Sequence, residues 1–132
     1  MLYMLDTCIC VDYLHAKNEK LLRKVRSCSH DVEISAIVAA ELLHGAYHSK
    51  RIEENMRTTI ELISNFDVVP FGEAEADAYG RILDSLERKG QVICSNDIMI
   101  AATALVRNAV LVTNNTREFS RIDGLKLDDW TL

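Results

Sequence analysis

Five short apolar runs punctuate this chain: Leu2 to Leu5, Val32 to Ser35, the segment around Val68 and Val69, Ala109 to Val112, and Leu125 to Leu127. Between them, apolar residues recur at helical spacing. Strands of three to five residues that are apolar throughout have to be covered on both faces, and parallel neighbours have to be joined by helices. The pattern therefore predicts an α/β domain with a mostly parallel central sheet between helical layers. A chain of 132 residues hides roughly two-thirds of its unfolded surface on folding. No repeat, Pro/Gly/Ser-rich linker or charged tail divides it, so residues 1–132 are read as a single domain.

Local signals refine the picture. Asp6 and Thr7 suit the end of the first strand and the cap of a short helix. Asn18 can cap a second helix in which Leu21, Leu22 and Val25 form a stripe and Lys20, Arg23, Lys24 and Arg26 a basic face. Ser35 can cap a helix from Ala36 toward His48 with Ile37, Val38, Leu42 and Leu43 inside. The next helix, from about Lys50 to Ser64, is read as burying Ile52, Met56, Ile60 and Ile63. Pro70 cannot donate to a ladder, which puts the strand over Val68 to Phe71 near an edge. A helix from Glu73 to Lys89 is stopped by Gly90, and a very apolar helix runs from Asp97 to Arg107.

Charge and hydropathy narrow the function. Fifteen Lys and Arg against twenty Asp and Glu give a net charge of −5, so the chain as a whole repels a phosphate backbone and any nucleic-acid contact has to be local. No apolar stretch approaches the roughly 20 residues of a membrane span. The start reads as neither anchor nor export signal, and a cytoplasmic protein without membrane contact is expected. Cys8, Cys10, Cys28 and Cys94 lack CxxC spacing and read as free thiols.

Most of the acidic residues read as solvated surface charge, but three do not. Asp6 follows the first strand directly, flanked by Met4, Leu5, Ile9 and Val11. Glu41 lies four and three residues after Ile37 and Val38, on their apolar face. Asp97 opens the apolar helix, where by itself it would be a favourable charge at a helix N-terminus. Each follows a strand at one edge of a parallel sheet, the edge where ligand crevices form. Carboxylates gathered there repel and raise one another's pKa unless a cation neutralises them. An all-oxygen set selects a hard ion, Mg2+ or Mn2+, which suits phosphoryl chemistry. His44 and His48 form an i, i+4 pair, but without HExxH or a second such helix they read as polar surface or groove residues rather than ligands. Thr7 is read as a cap first and a hydrogen-bonder to metal-bound water second.

These residues resemble the PIN-domain ribonucleases and, within them, the VapC toxins of bacterial toxin-antitoxin pairs. The likeness spans nearly the whole chain and rests on MLDTC at Met4 to Cys8, SAIVAAELLHG at Ser35 to Gly45, LERKGQVICSNDIMIAATA at Leu86 to Ala104, and VTNNTREFSRIDGLKLDDW at Val112 to Trp130. It implies a three-layer α/β/α PIN fold and a Mg2+- or Mn2+-dependent endoribonuclease with Asp6, Glu41 and Asp97 as catalytic and metal-binding residues. It further implies a VapB-type antitoxin whose arm blocks the groove, a homodimer, operator DNA reached only through the antitoxin, and RNA as substrate, with tRNA the leading candidate. Two positions depart from the family pattern: Cys8 replaces a usual Asn, and Cys94 a usual Gly. A fourth acidic position reads Asn114 and Asn115, and Glu118 can compensate if Asn115 to Phe119 forms a helical turn. The basic pool for gripping RNA is Lys20, Arg23, Lys24, Arg88, Lys89, Arg107, Arg117 and Arg121. The competing readings are a catalytically weak PIN module that mainly binds RNA and its antitoxin, and a phosphoacceptor receiver domain, which lacks its acidic pair and Lys here.

Overall fold

A computed structural model describes residues 1–132. In chain order the elements are β1 (Tyr3–Leu5), α1 (Thr7–Leu14), α2 (Glu19–Ser27), a 3-10 turn (Ser29–Asp31), β2 (Val32–Ser35), α3 (Ala36–Tyr47), α4 (Ile52–Ser64), β3 (Asp67–Val69), α5 (Glu73–Lys89), α6 (Ser95–Arg107), β4 (Val110–Val112), α7 (Thr116–Phe119) and β5 (Lys126–Asp128). The sheet has the order β3-β2-β1-β4-β5, and every neighbouring pair is parallel. The α/β architecture expected from the alternation is the one formed. Met4 and Leu5 point to opposite faces of β1 and both are fully buried, as are Leu111 and Val112 of β4, so helices cover the sheet on both sides.

Register decides where the chemistry goes. Leu5 pairs with Val112, and Val112 with Asp128, so β1, β4 and β5 end level with one another. Asp6 and Thr113 therefore leave the sheet side by side at its carboxyl edge. The expected caps form: Asn18 accepts from the Leu21 N–H at 3.2 Å and Ser35 from the Val38 N–H at 3.0 Å. Gly90 ends α5 at φ 67°, a conformation that favours glycine. β3 takes the edge, with Pro70 just beyond it.

Three expectations are corrected. Helix α4 does not bury Ile52 and Ile60, which are 47% and 55% exposed; Thr59 and Leu62 are buried instead, with Met56 and Ile63 half-buried. Apolar residues lie on two sides of this helix, and its packing on α3 chose the side. Helix α6 begins at Ser95 rather than Asp97, which places Asp97 inside the first turn. Glu33, not singled out from sequence, is a buried carboxylate on β2, ion-paired through both oxygens with Arg107 at the end of α6. That pair removes Arg107 from the pool of free cations.

Candidate active site

Asp6 is 6% exposed at the junction of β1 and α1. Its Oδ1 accepts from the Thr7 N–H at 2.8 Å, and its Oδ2 accepts from the Thr113 hydroxyl at 2.7 Å. The Cys8 thiol lies 3.6 Å from the same Oδ2. Burial raises the Asp6 pKa, and these hydrogen bonds hold it down, while the nearby Glu41 charge adds to the rise. The Thr113 side chain also accepts from the Asn115 N–H at 3.0 Å, so one hydroxyl ties the carboxylate of β1 to the loop after β4.

Glu41 comes from the middle of α3, and its Oε1 accepts from the Thr7 hydroxyl at 2.7 Å. Thr7 thus joins two of the expected site residues, giving its N–H to Asp6 and its hydroxyl to Glu41. A groove of about 410 Å³ opens beside them, lined by Thr7, Val11, Glu41, Gly45, Asn55 and Thr59 among others. Asn115 and Glu118 do share a face of the single-turn α7, the Asn115 amide donating to Glu118 Oε2 at 3.3 Å.

Asp97 completes the set. Its carboxyl is pushed up to about 6, first by burial and then by the negative charges of Asp6, Glu41 and Glu118. No hydrogen bond from the chain offsets these effects at Asp97. Three carboxylates, from α1's cap, α3 and α7, thus act on one half-buried group on α6 without a cation among them. The donor chemistry fits a hard divalent ion. No three His, Cys, Asp or Glu side chains close into a tight cage, and Mg2+ needs none, because it keeps several waters and binds through one or two carboxylates.

The PIN-domain family model matches residues 3–125. The chain belongs to the PIN family. Within it, this PIN domain is similar to ribonuclease VapC2 of Rickettsia felis, 39% identical over 98% of both chains. It is also similar to the tRNA(fMet)-specific endonuclease VapC of Shigella flexneri, 35% identical over 98% of both. Among solved structures it resembles DNA-bound VapBC from Salmonella typhimurium, with a TM-score of 0.94, 37% identity and coverage of 98% of this chain and 99% of that one. VapBC2 from Rickettsia felis, bound to a promoter DNA fragment, gives a TM-score of 0.93 at 36% identity, with the same coverage.

Against the PIN pattern, the two departures resolve differently. Cys94 adopts φ −54° and ψ 139°, an extended conformation open to any residue, so the loss of Gly costs the backbone nothing. Cys8 turns its thiol to Asn114 Oδ1 at 3.1 Å, bridging α1 to the loop after β4. Burial raises its pKa first, with the Asp6 charge also contributing, and the thiol stays protonated. Thr113, fully buried, is the residue that sequence reasoning passed over; its one signal in the sequence was a hydroxyl at the end of an apolar strand. The His44 and His48 rings lie 5.8 Å apart as polar surface residues, and neither lines the groove. Arg88 and Lys89 pair with Asp84 and Asp123, which shrinks the basic pool further.

Proposed function

We propose that this chain is the toxin of a toxin-antitoxin pair, a VapC-type endoribonuclease that hydrolyses RNA phosphodiester bonds at Asp6, Glu41 and Asp97. The observation that carries the reading is the convergence of Asp6, Glu41, Asp97 and Glu118 from four separate elements, with Asp6 and Glu41 joined through Thr7 and the Asp97 carboxyl raised to about 6 beside them. Such a group is costly in an empty fold and useful in a cation-dependent one. Asp6, Glu41 and Asp97 would hold Mg2+ or Mn2+, with Asn115 and Glu118 in support. The ion supplies positive charge for the phosphodiester and makes water a stronger nucleophile.

The chain's own part is positioning. Thr113 fixes the Asp6 carboxylate from one side and the Thr7 N–H from the other, while the Thr7 hydroxyl fixes Glu41. Hydroxyl and backbone donors lock these carboxylates without neutralising them, which leaves their charge for the ion. tRNA is the substrate we infer, in line with the tRNA(fMet)-specific relatives. A VapB-type antitoxin is the inferred partner, as in the VapBC neighbours. It would send a basic side chain among the carboxylates and lay its arm in the adjoining groove, with a toxin homodimer as scaffold. With a net charge of −5, the toxin meets operator DNA only through that partner.

Purified chain incubated with tRNA and Mg2+ or Mn2+ should yield discrete fragments, mapped by end sequencing. Asp6→Asn and Asp97→Asn proteins should yield none. Cleavage by Asp97→Asn at the wild-type rate would overturn the assignment.

A further inference from the structure

We propose that the exposed face of α2, carrying Lys20, Arg23, Lys24 and Arg26, is a phosphate-binding platform that holds the RNA backbone outside the carboxylate site. It rests on the ribonuclease reading and adds to it the surface on which the substrate is held. The difficulty it addresses is electrostatic. A chain of net charge −5 with a crevice of carboxylates repels a polyanion, so substrate has to be held by cations that are not already neutralised.

Ion pairing identifies them. Lys17, Arg51, Arg81, Arg88, Lys89 and Arg107 each face a carboxylate. Of the nine Lys and Arg side chains left over, four fall within the nine residues of α2. Its only acidic residue is Glu19, so this one helix carries a net +3 in an acidic protein. Arg117 and Arg121 of the basic pool are single charges beside Glu118 and Asp123, a poorer match to a phosphate chain.

The helix is built to present those charges. Leu21 and Val25 are buried beneath it, while all four cations are exposed. Lys20 Nζ donates to the backbone oxygen of Leu132 at 2.8 Å, and Lys24 Nζ stands 5.8 Å from the centre of the Trp130 ring. The ring steadies the Lys24 ammonium without cancelling its charge. Residues three and four apart on one helix face are about 5–6 Å from each other, giving a row of charges.

Reach is sufficient. Asp6 caps α1, whose eight residues and the short connection to α2 keep the first turn of α2 within about 30 Å of the site. That span is on the scale of one helical turn of a duplex, about 34 Å in DNA. A folded RNA can therefore lie on α2 while one of its strands enters the crevice.

The test is the salt dependence of RNA binding by the intact chain. Fluorescently labelled tRNA is titrated in EDTA, so that no cleavage occurs, with wild type and with Arg23→Gln/Lys24→Gln/Arg26→Gln protein. Removing three phosphate contacts should weaken binding at low salt at least tenfold and lower the slope of log K against log salt by about 2 to 3. The charge-keeping Arg23→Lys/Arg26→Lys protein should restore both. In cleavage assays the loss should appear as a higher RNA concentration for half-maximal rate. An unchanged slope and affinity would overturn the platform, as would a variant that binds RNA normally but no longer pairs with its antitoxin, which would give α2 to an acidic protein surface. A wild type that binds RNA on this face yet cuts nothing with either metal would instead defeat the ribonuclease reading and leave the platform standing.

Discussion

Replacing Asp97 by Asn should make the metal-free protein more stable while abolishing cleavage. The folded-state pKa of Asp97 is raised from 3.8 to about 6, so the folded chain keeps a proton that the unfolded chain releases. Its stability therefore falls as pH rises from about 4 through about 6, and the whole penalty is present at neutral pH. The full shift corresponds to about 3 kcal/mol. Asp97 is only half-buried, and solvent screening leaves about 1 to 1.5 kcal/mol of that. Asn also forfeits a favourable charge in the first turn of α6, worth about 0.3 to 1 kcal/mol. At the middle of these ranges the net gain at pH 7.5 is about 0.6 kcal/mol, a rise in Tm of about 2 °C for a domain of this size.

Thermal unfolding in EDTA, followed by circular dichroism at pH 7.5 and at pH 4.5, measures it. The gain should be present at pH 7.5 and cut to about a third at pH 4.5, because the folded carboxyl is then protonated while the unfolded one is still mostly ionised. Adding Mg2+ or Mn2+ at pH 7.5 should reverse the order, because an ion that binds only the folded state stabilises the wild type and Asp97→Asn has lost a ligand. A variant no more stable than wild type at pH 7.5 in EDTA would refute the account of Asp97 as a group waiting for a cation.

Other expectations follow from the same geometry. Glu118→Gln should raise the Mn2+ concentration for half-maximal cleavage more than Asn115→Ala does; equal titrations would return Glu118 to the surface. Thr113→Val keeps the shape but removes the hydroxyl that holds Asp6, and should cost about 1–2 kcal/mol in urea unfolding together with a marked loss of cleavage rate. Arg107→Ala strands the buried Glu33 carboxylate, with an expected loss of about 1–3 kcal/mol, which Glu33→Gln in the same chain should partly restore. Leu111→Ala opens a cavity under β4, where Leu111 is fully buried, and should lower unfolding stability by about 2–5 kcal/mol.

Strand and helix identity were legible because they depend on local spacing. The runs at Tyr3–Leu5 and Val110–Val112, the caps at Asn18 and Ser35, and the stop at Gly90 all form where the sequence places them. The three candidate carboxylates could be picked out for a related reason: acidic groups among apolar neighbours are rare enough to stand out one at a time, and the likeness to PIN domains supplied their common purpose. Relations between distant segments were another matter. That Thr113 is the hydroxyl holding Asp6 follows from the level ends of β1 and β4, a register between strands more than a hundred residues apart. That Glu33 and Arg107 pair, and that α4 packs through Thr59 and Leu62 rather than Ile52 and Ile60, depends on how one helix is rotated against its neighbours. The sequence by itself determined the elements, their order and the residues fit to hold a cation. Only the tertiary structure decided which of the charges cancel and which remain free, because a charge is neutralised by what lies within a few ångströms in space, and chain distance carries almost no information about that.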